Sequence, residues 1–142
     1  MSRADQGLRS LFPKYLPYVH WQSIESGATG GGIPDLNGCF AGVEVWIECK
    51  RATGKTLTRC SEIRPTQIAW AERRVRHFGR VFLAIRRHDK TIDELLLYPA
   101  SALRQFHDGA WLGEIKPLIQ CAGGPAKWHW NTIEQMLFGK PL

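Results

Sequence analysis

The stretch GGGIPDLNGCFAGVEVWIECKR, from Gly30 to Arg51, decides the fold of this chain. Its two apolar segments flank the turn-forming run Asn37–Gly42, which predicts that they fold back on each other as a β-hairpin. Side chains alternate between the two faces of a strand, so the second segment has one apolar face and one charged face. The apolar face holds Val45, Ile47 and Cys49, and the charged face holds Glu44, Trp46, Glu48 and Lys50.

An acidic cluster is predicted where the two segments meet. Asp35 follows Pro34, whose fixed φ and missing N–H favour a bend or an edge position. A carboxylate at this bend faces Glu48 and Lys50, which are same-face neighbours about 7 Å apart on the next strand. Two carboxylates beside a lysine are suited to a hard divalent cation.

These residues resemble the motif of the PD-(D/E)XK nucleases, and most closely that of the VRR-NUC branch of this superfamily. The branch has a G-x-PD strand, an E-x-K strand with a basic tail, and a Gln that opens the next helix. The matching segments are Gly32–Asp35, Glu48–Arg51 and Arg64–Gln67. The resemblance covers about residues 20–88 and leaves about 91–142 as a C-terminal extension. It implies an α/β fold with a restriction-endonuclease-like core, in which helices flank a mixed central sheet in the order α-β-β-β-α-β.

The resemblance also implies a function, a metal-dependent endonuclease that hydrolyses DNA with Mg²⁺ or Mn²⁺. The catalytic residues it suggests are Asp35, Glu48, Lys50, Gln67 and Glu25, and the metal ligands are Asp35, Glu48, Glu25 and the Cys49 carbonyl. Lys50 would orient or help to deprotonate the attacking water, and Gln67 would hydrogen-bond a water or a phosphate. Members of the branch occur in phage and bacteria, and those of this size act as homodimers on branched DNA such as Holliday junctions.

A helix and a strand are predicted before the motif. Ser2–Phe12 favours a helix that ends at Pro13, and Asp5 is its only candidate for the additional acid that related nucleases place there. Tyr18–Ser26 favours a strand that carries Glu25 near its end. Glu25 then either joins the metal cluster from the neighbouring strand or lies in solvent beside a flexible connector.

Positive charge is concentrated in the middle of the chain. Residues 50–90 carry twelve Lys and Arg against three Asp and Glu, whereas residues 1–49 and 91–142 are each slightly acidic. Basic residues next to an acidic cluster favour a protein that holds a metal and attracts a polyanion. The candidate DNA contacts are Arg51, Lys55, Arg59 and Arg64. The arginines between residues 73 and 76 are explained equally well by a solvated helix face.

The remaining pattern predicts a single domain over residues 1–142. Further elements are expected as a helix from Pro65 to Gly79, a strand at Arg80–Arg86 parallel to a neighbour, a strand at Glu94–Tyr98, and helices at Pro99–His107 and Thr132–Phe138. The chain lacks an apolar run long enough for a membrane span and an apolar signal region at its start, so the cytoplasm is the expected compartment.

Two other functions stay open on the sequence. One is a restriction-type or repair nuclease that uses the same site on duplex or flap DNA. The other is a nucleic-acid-binding module without catalysis, in which the acids only form ion pairs with nearby arginines. A pure binding module gains little from acids placed where phosphates approach, which favours a nuclease.

Overall fold

The computed structural model describes residues 7–25, 31–52 and 60–139. The predicted order α-β-β-β-α-β is present, and two more strands and two more helices follow it. The helices are α1 (Leu8–Tyr15), α2 (Pro65–Arg76), α3 (Ala102–His107) and α4 (Trp130–Phe138). The strands are β1 (His20–Ser23), β2 (Leu36–Phe40), β3 (Val43–Ala52), β4 (Arg80–His88), β5 (Asp93–Pro99) and β6 (Ile119–Cys121). Short 3₁₀ turns lie at Leu112–Glu114 and Pro125–Lys127.

The six strands form one mixed sheet in which spatial order follows sequence order from β1 to β6. The central strands β3 and β4 are parallel and are joined by α2, while every other neighbouring pair is antiparallel. The five residues Val81–Ile85 of β4 are all buried, as expected for a central strand covered on both faces. The predicted α/β fold, a mixed sheet with flanking helices, is confirmed.

Each face of the sheet carries its own hydrophobic core. The helices α1 and α4 cover one face, where Val45, Ile47 and Cys49 of β3 are buried. The helices α2 and α3 cover the other face and pack against Leu83 and Ile85 of β4. Because side chains alternate along β3, its charged face lies on the α2 side of the sheet, as the sequence predicts.

The hairpin turn is shorter than predicted. Residues 37–40 pair with β3 as part of β2, and the turn consists of Ala41 at φ 53° and Gly42 at φ 80°. Two consecutive residues with positive φ form the tight connection that fits the twist of two antiparallel strands. The predicted turn at Asn37–Gly42 is therefore wrong, because the gain from strand pairing outweighs the turn preference of its first residues.

The first helix runs through Pro13, where the sequence predicts its end. Leu8, Phe12 and Leu16 are completely or almost completely buried against the sheet. This packing outweighs the one backbone hydrogen bond that proline removes. Asp5 lies outside the described residues.

The C-terminal region contributes a strand that the sequence pattern does not predict. Residues 119–121 form β6 at the edge of the sheet, although the pattern around Cys121 favours a loop. The nearby aromatic rings are packing residues: Trp128 is buried, and Trp130 stacks on Tyr15 at 5.0 Å between ring centroids. Across the described ranges, no helix has the length and apolar character needed to cross a bilayer.

Candidate active site

Asp35 and Glu48 come together where β2 begins. The register pairs Leu36 with Ile47, so one further step places Asp35 opposite Glu48. Glu48 is only 3% exposed, and the two carboxyl groups are joined by a side-chain hydrogen bond. Burial, and after it the charge of Asp35, raise the pKa of Glu48 to about 9. The protonated form of Glu48 is therefore favoured at neutral pH.

The backbone of β3 and a side chain from α1 hold Asp35 in place. The Cys49 N–H donates to Asp35 Oδ2 at 2.8 Å, and Arg9 Nη2 donates to Asp35 Oδ1 at 3.4 Å. The N–H and C=O of one strand residue point to the same side of the strand, so the Cys49 carbonyl is also directed toward Asp35. The Cys49 thiol is buried in the opposite core and cannot be the donor atom on this side.

Lys50 lies beside the acidic pair with its ammonium anchored by protein oxygens. Lys50 Nζ donates to the Glu62 carbonyl at 2.6 Å and to Gln67 Oε1 at 3.1 Å. The same nitrogen lies 3.8 Å from Glu48 Oε1. Both Glu48 and Lys50 are buried, which fits their predicted place on one face of β3. The cation therefore has a fixed position next to the two carboxyl groups.

Gln67 links the acid and the lysine. Its Nε2 donates to Glu48 Oε1 at 3.3 Å, while its Oε1 accepts from Lys50 and from the backbone N–H of Arg64 at 2.9 Å. The last bond caps the start of α2. Gln67 is expected from the sequence to face a water or a phosphate, but it is buried and has protein partners instead. The reason is that the first turn of α2 packs directly against β3.

Glu25 does not join this group. The register of β1 on β2 puts Trp21 and Ser23 on the α1 side of the sheet, and continued alternation would direct Glu25 to that side too, away from Asp35 and Glu48. Its side chain is exposed. Within residues 7–25, 31–52 and 60–139, no set of three His, Cys, Asp or Glu side chains converges as a metal site. The solvent alternative for Glu25 is therefore the one that the structure supports.

The four candidate DNA contacts are distributed unevenly. Arg64 is exposed at the start of α2, and its charge partly offsets the raised pKa of Glu48. Arg51 is half-buried, and the alternation of β3 places it on the α1 side of the sheet, away from Glu48 and Lys50. Arg51 is thus not part of the active-site face. Lys55 and Arg59 lie outside the described residues.

Arg9 is a site residue that the sequence does not reveal. Its contact with Asp35 depends on how α1 packs across the sheet, and the helical pattern of α1 alone does not fix this orientation. This helix therefore contributes an arginine to the site, where the resemblance implies an additional acid. The only sequence signal is its place next to the buried Leu8.

The donor set fits a hard divalent cation. The two carboxyl groups and the Cys49 carbonyl offer oxygen atoms only, which are the ligands of Mg²⁺ and Mn²⁺. Two like charges directly opposite each other on neighbouring strands repel, and a cation between them would replace the shared proton. A site with only two carboxylate ligands suits Mg²⁺, because Mg²⁺ keeps several of its bound waters. A structural zinc ion instead takes three or four side-chain ligands.

Comparison with known proteins gives a similarity of fold and no more. No family model and no curated protein matches the chain. A solved structure that resembles it is Hjc, a Holliday junction resolvase from the archaeal hyperthermophile Archaeoglobus fulgidus. The two chains are 16% identical with a TM-score of 0.46, and the match covers 66% of this chain and 72% of that one. At this identity and score, the likeness transfers neither an activity nor a site to this chain.

Proposed function

We propose that this chain is a metal-dependent endonuclease of the VRR-NUC branch of the PD-(D/E)XK superfamily that hydrolyses branched DNA. The observation that carries the proposal is the pairing of half-buried Asp35 with buried Glu48, with Lys50 on the same face. This arrangement supplies negative charge for a metal and a cation for the attacking water within one small site. The proposal is supported by the geometry of this site and by the resemblance of its sequence motif to that of the VRR-NUC branch.

Each residue of the site has a separate task in this mechanism. Asp35, Glu48 and the Cys49 carbonyl would hold Mg²⁺ or Mn²⁺, which when bound polarises the phosphate and stabilises the charge that develops on it. The Lys50 ammonium orients the attacking water, since its bonds to Glu62 and Gln67 fix its position. Gln67 is a positioning residue: its hydrogen bonds hold Glu48 and Lys50 in place relative to each other. Arg64 attracts the DNA backbone.

A binding module without catalysis explains the same residues less well. Such a module would need its acids only as partners for arginines at the surface. Here Glu48 is buried against another carboxyl group, and this arrangement lowers the stability of the fold at neutral pH unless a proton or a cation lies between them. Proteins retain costly polar groups of this kind most often where they serve chemistry.

A cleavage assay separates the three functions. The protein is incubated with a four-way junction, a flap and a linear duplex of matched sequence, with Mg²⁺, Mn²⁺ or EDTA. We expect metal-dependent cleavage that is fastest on the junction. Equal cleavage of all three substrates would favour a nuclease for duplex or flap DNA. DNA binding without cleavage in either metal would leave only the binding module.

We also propose a symmetric homodimer that forms through the C-terminal end of α2. Phe78 is 96% exposed and Val75 is 45% exposed. Beside them lies an apolar groove of about 580 Å³, whose lining includes Val75, Val81, Phe82 and Pro99. A projecting ring next to a groove on one surface is self-complementary, which is what a twofold contact requires. Each Phe78 would enter the groove of the other subunit.

The backbone of Phe78 supports this proposal. The N–H of Gly79 donates to the Arg74 carbonyl and the N–H of Phe78 to that of Val75, which together form the usual end of a helix with a left-handed residue. That residue is commonly glycine, but here it is Phe78, at φ 65°. Gly79, expected from the sequence to stop the helix, is the residue after it. A strained and exposed phenylalanine contributes little to a monomer, so a contact outside the chain is the better explanation.

Phe78→Gly tests the dimer through mass and stability. Removing the side chain relieves the left-handed conformation, so we expect the dissociated subunit to be more stable by about 1 kcal/mol. Light scattering at micromolar concentration should report a loss of dimer. Ala41→Gly is the matched control, because it relieves the same strain in an exposed turn and should leave the mass unchanged. A dimer that persists in Phe78→Gly would exclude this surface as the interface.

A further inference from the structure

Two tryptophans and an arginine form a compact cluster beside the acidic pair. The rings of Trp46, on β3, and Trp70, on α2, lie 5.1 Å apart between centroids. The guanidinium of Arg74 lies over both rings, 5.1 Å from the centroid of Trp46 and 4.6 Å from that of Trp70. Both tryptophans are only half-buried and Arg74 is exposed. The cluster therefore presents two edge-to-face aromatic rings and one guanidinium group at the surface.

The cluster continues directly from the active site. Trp46 precedes Glu48 by two residues on the same face of β3, a separation of about 7 Å. Trp70 follows Gln67 by three residues, so both lie on one face of α2. A nucleic-acid strand whose phosphate reaches Glu48 would thus have its adjoining nucleotide within reach of the two rings.

The neighbouring sheet face leaves room for such a strand. The pairing of β1 with β2 places His20 beside Cys39 and Gln22 beside Asn37, and alternation directs these side chains to the α2 side. All four are exposed or half-buried, and none belongs to either of the cores found in the described ranges. On the same side of the sheet, by contrast, residues of β3, β4 and β5 are covered and belong to a core. The face of β1 and β2 next to Trp46 is therefore polar and accessible.

Cations complete the chemistry of the cluster. Arg73, Arg74 and His77 line a cavity of about 580 Å³ together with Trp70 and with Phe78, which also belongs to the proposed dimer contact. This volume lies within the range of small-ligand sites and exceeds what one base requires. Aromatic rings hold unstacked bases by stacking, and arginines hold the adjoining phosphate or stack on the base themselves. Aromatic and cationic groups meet here in one accessible place.

We propose that the Trp46, Trp70 and Arg74 cluster binds an unpaired nucleotide of the DNA substrate. The base stacks on a ring or on the guanidinium of this cluster, and its phosphate lies among the cations at the end of α2. The proposal rests on the proposed nuclease function and adds a selection rule to it. DNA that offers an unpaired base next to the cleavage point, as a single-stranded flap or a gap does, is bound more tightly than a continuous duplex.

Binding of gapped DNA tests the site without cleavage. In an Asp35→Asn background, the affinity for a duplex with a short single-stranded gap is compared with that for the same duplex fully paired, by fluorescence anisotropy at fixed salt. Stacking on an aromatic side chain contributes about 1 to 3 kcal/mol per base. We therefore expect Trp46→Leu and Trp70→Leu to weaken binding of gapped DNA about tenfold and to change binding of paired duplex less than twofold. Arg74→Gln, at an exposed position, should act in the same direction without disturbing the core.

Trp111→Leu is the matched control, since Trp111 is 57% exposed at the start of a 3₁₀ turn and outside the cluster. It should alter neither affinity. Equal weakening of both DNAs by the cluster variants, or no weakening, overturns the proposal. A change of molecular mass in Trp70→Leu also overturns it, because it assigns the cluster to contact with a second copy. If the unsubstituted protein prefers gapped DNA but cleaves none of the substrates, the nuclease function fails while the nucleotide site stands.

Discussion

Asp35→Asn and Lys50→Met are expected to abolish DNA cleavage while leaving DNA binding intact. Asp35→Asn removes one negative charge from the proposed metal site, and Lys50→Met removes the ammonium at nearly constant volume. Metal activation and water orientation each contribute several kcal/mol in the transition state, so each variant should cleave at least about a thousandfold more slowly. Affinity for a four-way junction, measured in the presence of a chelator, should stay within a few-fold. Asp35→Asn should bind slightly more tightly, because it repels phosphate less.

Matched substitutions at exposed positions separate this effect from a loss of charge in general. Asp108→Asn and Lys116→Met change the same residue types on the surface and should cleave normally. Thermal unfolding of all four variants checks that the fold survives. Cleavage that persists in both Asp35→Asn and Lys50→Met would place any nuclease activity at another site and end the proposed mechanism.

The second large effect is expected in the stability of Glu48→Gln. The pKa of Glu48 is raised to about 9 in the folded protein, from 4.5, by burial and by Asp35. The folded state then binds more protons than the unfolded state between these two values, so this group lowers the free energy of unfolding as the pH rises through that window. An amide at this position mimics the protonated acid, since it can donate to Asp35 and accept from Gln67. Without divalent metal, Glu48→Gln should therefore be more stable than the unsubstituted protein at pH 8.

Denaturant unfolding in a chelator measures this difference. We expect the gap in free energy of unfolding between Glu48→Gln and the unsubstituted protein to grow by at most about 1.4 kcal/mol per pH unit, and by about 3 kcal/mol between pH 5.5 and 8. Saturating Mg²⁺ should narrow the gap, because a cation takes the place of the shared proton. The same variant should lose cleavage. A gap that is independent of pH would mean that the pKa of Glu48 is not raised in the folded protein.

Local pattern determines much of the active site. The alternation of side chains along β3 places Glu48 and Lys50 on one face with Trp46, and Pro34 places Asp35 at the start of β2. These are short-range consequences of strand geometry, which is why they follow from the sequence. The helix from Pro65 and the buried strand after it follow from the same kind of signal.

Side-chain positions that depend on tertiary packing cannot be predicted from the local sequence pattern. Glu25 fails to reach the cluster because the register of β1 on β2 directs its side chain toward the α1 side of the sheet, and Arg51 also faces the other side of the sheet from Lys50. Arg9 contacts Asp35 because α1 packs against the sheet. Such contacts join residues far apart in the chain, so no periodicity of a single segment encodes them.

The sequence by itself thus determined the order of the elements up to β4, the charged face of β3 and the pairing of two carboxyl groups with a lysine. Only the tertiary structure decided that Gln67 bridges Glu48 and Lys50, that Phe78 rather than Gly79 is the left-handed residue, and that Trp46 and Trp70 share Arg74. The physical reason is how far apart along the chain the interacting residues lie. Side-chain alternation and helix starts are set by neighbours along the chain, whereas burial, shared protons and stacked rings depend on which surfaces the folded chain brings together.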